Sequence, residues 1–292
     1  MDPIRALSSP YLFTIYDSRF TISRLRTLNV NAYLERIHYR GSVAPTAATL
    51  RELQVAHLFT VPFENLSIHS SEPIVLEDEA LFTKIVERKR GGFCYECNGL
   101  FAALLRALGF DVTMLSAEVA DAAGGFSEPF DHMTLMVNLD QRWLVDVGFG
   151  DSFLEPLLVD ERSEQVQGAR VYQILADDNY LLLSRRDNEE WEPQYRFTLQ
   201  PYEYQDFAAM CRYHQTSPQS HFTQGRICSR ATTDGGRVTL KAAAGTMPDD
   251  MYLITTSSKG DRQEGILQSS EEYADALRTH FGVVMCSARG KG

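Results

Sequence analysis

The chain has 292 residues, 44% of them hydrophobic, and a formal net charge of −11. That is enough apolar material for a sizeable core, and it excludes collagen-like, coiled-coil and disordered classes. An acidic surface repels phosphate backbones, so no nucleic-acid partner is expected, although a local basic patch stays open. No apolar run approaches a membrane span and the N-terminus shows no secretory pattern, so a cytoplasmic location away from any membrane is expected. Five cysteines are too few, and odd in number, for a disulfide scaffold, which points to free thiols in a reducing compartment.

Residues 1–27 read as an irregular extension. A short helix is expected over 32–37 and a stronger one over 46–60, with Leu50, Leu53, His57 and Leu58 on one stripe and Pro62 as its stop. A short amphipathic piece covers 76–86. Residues 94–108 carry the widest apolar face, Leu100, Phe101, Leu104, Leu105 and Leu108, with Gly109 placed as a left-handed cap. The period then changes to that of strands at 112–119, 132–139, 143–147, 171–175, 180–184 and 192–199. After Tyr202 the pattern mixes: a short helix at 205–212, strands at 226–231 and 237–242, and a helix at 270–281. Helices, then strands, then a mixture imply an α+β chain with segregated parts, not a doubly wound parallel sheet.

Cys94 sits in Arg90-Gly91-Gly92-Phe93-Cys94-Tyr95-Glu96-Cys97-Asn98. Two glycines bring the backbone in tightly, and the cysteine opens the helix. Unpaired N–H groups and the dipole at a helix start favour a thiolate and offer a donor to an oxyanion. The plain alternative is a buried small hydrophobe, which needs neither the glycines nor the arginine. A thioredoxin-like use of Cys94 and Cys97 wants a strand upstream, where Glu87-Arg88-Lys89-Arg90 is a charged turn. Zinc would need compactly spaced ligands, and Cys211, Cys228 and Cys286 are scattered, so no metal is expected.

His132 opens the strand His132-Met133-Thr134-Leu135-Met136-Val137, whereas His38, His57, His69, His214, His221 and His280 have ordinary settings. In the next strand, Trp143-Leu144-Val145-Asp146-Val147, an acid stands inside an apolar run. Burying a carboxylate without a partner costs several kcal/mol, so Asp146 needs one. Residue parity places His132 and Asp146 on one face of the hairpin if its loop is odd-numbered or bulged. Nucleophile, base and orienting carboxylate are thereby present in the order Cys, His, Asp.

Four ordered motifs resemble those of the arylamine N-acetyltransferase family: Val61-Pro62-Phe63-Glu64-Asn65-Leu66, the cysteine segment above, His132-Met133, and Val145-Asp146-Val147-Gly148-Phe149-Gly150. Thr216-Ser217-Pro218 followed by Phe222 adds to them. The resemblance covers the chain from about Asn31 onward. It implies a helical domain carrying the nucleophile (28–110), a β-barrel-like domain carrying His and Asp (111–212) and an α/β lid (213–292), with a papain-like Cys-His-Asp core. It implies ping-pong transfer of an acetyl group from acetyl-coenzyme A, as cosubstrate with no tightly bound cofactor, to an arylamine, arylhydrazine or N-arylhydroxylamine. By matched position Cys94, His132 and Asp146 form the triad. Phe63, Phe149 and Phe130 border the substrate, and Tyr213 contacts the cofactor. Arg90 and Glu64 pair beneath the site, and Asn98 supports it. The loop holding Glu128, Pro129, Phe130 and Asp131 departs from the family pattern, and Gln219 stands where a hydroxyl residue would be. The same triad also serves an amide synthase acting on a carrier-bound thioester, or a cysteine peptidase or transglutaminase. Oligomeric state is not legible.

Overall fold

The structure, a computed structural model, describes residues 28–186, 189–243 and 251–285; the extension at 1–27 and Cys286 lie outside them. Helix α1 (Val30–Arg36) starts at Asn29, whose side chain accepts the Ala32 N–H; α2 (Ala47–Thr60) starts at Thr46, which does the same for Thr49. Each cap satisfies a donor that the first helical turn leaves unpaired. Then come β1 (Phe63–Glu64), α3 (Leu66–His69) and α4 (Asp78–Phe82), the last running into a π-helical turn over Thr83–Glu87. Helix α5 (Cys94–Ala107) buries Leu100, Phe101, Leu104 and Leu105 completely. Such burial is worth roughly 1.5–3 kcal/mol per side chain, which is why this helix forms the centre of the first core. It ends with Gly109 at φ +89° and the Phe110 N–H bonded back to Leu105.

Eight antiparallel strands follow: β2 (Asp111–Val119), β3 (His132–Asn138), β4 (Arg142–Val145), β5 (Leu157–Leu158), β6 (Gln165–Gln167), β7 (Arg170–Asp177), β8 (Tyr180–Arg186) and β9 (Glu192–Phe197). Their order is β5-β4-β3-β2-β9-β8-β7-β6. The edges β5 and β6 meet through side chains, since the Gln165 amide both donates to and accepts from the Leu158 backbone, and Gln167 bonds to Leu154 and Glu155. The sheet is thus a nearly closed barrel. This is the expected α+β architecture.

Strand β3 is buried on both faces. Met133, Leu135 and Val137 pack with α5, while Met136 belongs to the barrel interior with Leu115, Tyr172 and Tyr195. Alternation along a strand therefore turns His132 and Thr134 toward the barrel side.

A 3-10 turn at Tyr204–Phe207 leads into α6 (Ala208–Thr216) and α7 (His221–Gln224). Helix α6 runs across the predicted division at 212/213, which therefore falls inside an element. Strands β10 (Gly225–Ala231), β11 (Arg237–Ala243), β12 (Met251–Thr256) and β13 (Arg262–Ile266) form a second antiparallel sheet with β1, in the order β1-β10-β11-β12-β13. Helix α8 (Ser270–Ala276) and a π turn over Leu277–Phe281 cover it. Strands β12 and β13 were absent from the sequence reading. Asp151 joins the two sheets, receiving Arg170 of β7, Arg185 of β8 and Arg237 of β11. Among the described residues no helix is long and apolar enough to cross a membrane.

Candidate active site

The approach to Cys94 is built on buried charge. Arg90, 2% exposed, lies against Glu64 in a two-pronged ion pair at 2.8 and 3.0 Å. Next to it a Cβ on Gly91 would stand 1.8 Å from the Pro62 carbonyl, so only glycine lets the chain run this close to β1. The Glu96 carboxylate then accepts the Phe93 N–H at 3.2 Å and Lys84 Nζ at 2.6 Å, fixing the first turn of α5. Cys94 is the first residue of that helix, 3% exposed, with Sγ 4.0 Å from the Asp131 carbonyl oxygen.

One expectation is corrected here. The helix start was to favour a thiolate, but burial pushes the thiol well up, a hydrogen bond from the Met133 N–H works the other way, and the charges of Asp131 and Asp146 raise it further. The sulfur alone in this setting holds its proton.

Asn138 pairs with Arg142, so the β3–β4 loop is Leu139-Asp140-Gln141, an odd number of residues. That is the condition for His132 and Asp146 to share a face. The ladder stops at Val145, two residues short of the sequence reading, and Asp146 turns its N–H to Gln54 Oε1 at 3.4 Å. Its carboxylate takes His132 Nε2 at 2.6 Å, Asn98 Nδ2 at 2.9 Å, the Gly148 N–H at 2.9 Å and the Tyr195 hydroxyl at 3.1 Å. Burial alone would raise this acid, but the His132 charge and these bonds hold it below the usual carboxylate range. Asn98 also bonds the Met133 carbonyl and the Val147 N–H, which binds α5 to both strands. At Gly148 a Cβ would meet Cys94 Cα at 2.8 Å, so the acid's strand packs directly on the nucleophile's helix.

Cys94, His132 and Asp131 border a cavity of about 590 Å³. Phe63, Phe149, Phe222 and Val119 supply apolar wall, with Phe149 edge-on to the His132 ring at 5.0 Å. Phe130 does not line it. Its backbone takes φ +68°, its carbonyl accepts the Tyr95 hydroxyl, and its ring packs edge-on to Tyr202 at 4.8 Å and Phe207 at 5.3 Å. The turn that delivers Asp131 and His132 to the cavity thus sends the phenyl ring into the core. Tyr213 is 39% exposed on α6 and also lies outside the lining.

Several contributors escaped the sequence reading. Tyr195 and Gln54 reach Asp146 from 49 and 92 residues away, beyond any local signal. Phe222 had one, its place after Thr216-Ser217-Pro218. His214, an ordinary loop histidine by sequence, is 1% exposed and stands 3.0 Å from Asp131 Oδ1. It ties α6 to the loop that carries the acid at the cavity mouth.

The comparisons agree with this geometry. A family model described as N-acetyltransferase matches residues 46–289. The chain is 32% identical over 282 residues to mouse arylamine N-acetyltransferase 2, covering 88% of this chain and 94% of that one. The solved arylamine N-acetyltransferase of Salmonella typhimurium superposes with a TM-score of 0.81 at 28% identity, over 89% of this chain and 93% of that one. The enzyme from Mycobacterium marinum, solved in complex with CoA, superposes at 0.78 with 29% identity, over 87% and 93%. The chain belongs to the arylamine N-acetyltransferase family.

Proposed function

We propose that the protein transfers the acetyl group of acetyl-coenzyme A to the nitrogen of aromatic amines or hydrazines through an acetyl-Cys94 intermediate. The observation that carries the reading is a buried thiol and an acid-held imidazole bordering one Phe-lined cavity. Nε2 of His132 is committed to Asp146, which leaves Nδ1 as the basic nitrogen. Because burial keeps the thiol protonated, attack requires His132 to take the Sγ proton as sulfur bonds to the thioester carbonyl carbon. The backbone N–H groups that open α5 face the oxyanion that develops. The carbon–sulfur bond to coenzyme A then breaks, and the departing sulfur recovers the proton from the imidazolium. In the second half-reaction the amine nitrogen attacks acetyl-Cys94, and His132 passes the amine's proton to the released cysteine sulfur.

Phe63, Phe149 and Phe222 suit a planar apolar ring, and Asp146 keeps the imidazole in one tautomer. Arg90 with Glu64, and Asn98, hold the elements in place and do not react. Tyr213 serves the cofactor from the outer surface. The division into a helical part, a barrel and a lid, a cytoplasmic setting, and the absence of nucleic-acid or membrane partners belong to the same proposal. Intact mass after incubation with acetyl-coenzyme A, followed by addition of an aromatic amine, tests it. One acetyl group should appear on Cys94 and leave with the amine. An unmodified Cys94, or equal acetylation of Cys94→Ala, would overturn the reading.

A further inference from the structure

The cavity is less acidic than the molecule as a whole. The chain carries −11, yet Asp131 is the only carboxylate among the described residues that border the cavity. Lys241 also borders it, and among the described residues its side chain has no ion-pair or hydrogen-bond partner, whereas Arg226 pairs with Ala242 and so turns its side chain to the other face of the sheet. Strand register explains where the lysine stands. Ile227 of β10, Lys241 of β11 and Tyr252 of β12 are directly opposed, and opposed residues of an antiparallel sheet share a face. All three border the cavity, so this row is its wall on the second sheet, with one cation between an isoleucine and a tyrosine. A lysine stem lying along apolar surface presents its charge where water is partly displaced, and an anion meeting it there is held more firmly than on open surface.

We propose that Lys241, set between Ile227 and Tyr252, forms an anion-recognition subsite that selects a reactant bearing a phosphate or a carboxylate. The phosphate would belong to a nucleotide thioester donor, the carboxylate to the aromatic amine. The location of the reacting end of the cavity rests on the function proposed above; the charge complementarity does not. Direct binding therefore tests it independently of acetyl transfer. Calorimetry on the full chain at low salt would compare coenzyme A with phosphate-free pantetheine, and 4-aminobenzoate with aniline. Wild type should hold at least one anion better than its neutral counterpart. Lys241→Ala should weaken that anion by about five- to tenfold, the scale of one solvent-exposed contact, and leave the neutral probe within about twofold. Lys241→Arg should restore most of the loss, and Lys241→Glu should exceed it. Loss confined to coenzyme A assigns the phosphate, and loss confined to aminobenzoate assigns the carboxylate. An anion preference missing from wild type, or unchanged in both Lys241→Ala and Lys241→Glu, overturns the proposal. Both variants should keep the wild-type Tm, since the lysine is exposed.

Discussion

Two acid–imidazole pairs flank one cavity from consecutive residues of the chain. His132 meets Asp146, and Asp131 meets His214. In the first, the carboxylate is fully buried and takes bonds from a histidine, an asparagine, a tyrosine and a backbone N–H. In the second, the acid belongs to an irregular loop and its partner to α6, where Ser220 Oγ, at 3.0 Å, meets the other ring nitrogen. A carboxylate with every lone pair engaged can only orient its imidazole. One set against an imidazole of a separate element mainly sets the local field and ties two elements together. Proximity to the sulfur alone does not make a histidine its base.

The contrast can be broken most sharply at Asp146. Asp146→Asn should lower kcat/KM by roughly 10³–10⁴-fold, the cost of presenting the wrong imidazole tautomer; a loss below about tenfold, of the size of an ordinary contact, would reduce the acid to packing. Tyr195→Phe deletes one of the four donors. It should reduce kcat by about ten- to hundredfold, as expected for a hydrogen bond to a buried charge, with KM nearly unchanged. Asp131→Asn tests the other pair. The Asp131 charge raises the Cys94 thiol, so its removal should move the pH midpoint of iodoacetamide alkylation down by about one unit. An upward move would contradict the assignment of Asp131 as a field-setting group.

A third buried imidazole, His57, is paired with no acid among the described residues and meets the Tyr33 hydroxyl at 2.9 Å. Burial brings it down to about 3 from the usual 6.5, with the nearby Arg36 charge adding to the effect. Folded and unfolded chains both hold it neutral above pH 6.5. Below that the unfolded chain takes a proton that the folded one refuses, so stability falls with pH down to about 3. Comparing urea unfolding of wild type and His57→Gln across that window should show a difference in slope of up to about 1.4 kcal/mol per pH unit. Equal slopes would mean that His57 is protonated in the fold.

How much of this was legible depends on where the information sits. The glycine pair before Cys94, the acid inside an apolar strand and the parity across the hairpin are local features, and the structure keeps them together. The distant hydrogen-bond partners of Asp146 come from α2, α5 and β9, so no sequence window contains them. Phe130 misled because its φ of +68° redirects the side chain, and composition does not encode that turn. Strand β13 is exposed along its whole length and so lacks the apolar alternation by which half-buried strands are read. Strand β12 is different: Met251-Tyr252-Leu253-Ile254 is an apolar run that pattern reading passed over. The thiol's environment was misjudged because a helix start is visible in sequence while the depth of its burial is not.

The meeting of three guanidinium groups on Asp151 gives that junction an uneven tolerance to change. Losing Arg170 or Arg185 leaves two cations still shared by one anion, Arg237 among them, and the barrel stays latched to the second sheet; losing Arg237 removes the one of these three pairs that crosses to it. Replacing the aspartate by a neutral residue leaves three like charges facing one another across the seam. Drift is therefore cheap at the two barrel arginines and costly at Arg237 and at the aspartate, two residues along the chain from the ring of Phe149.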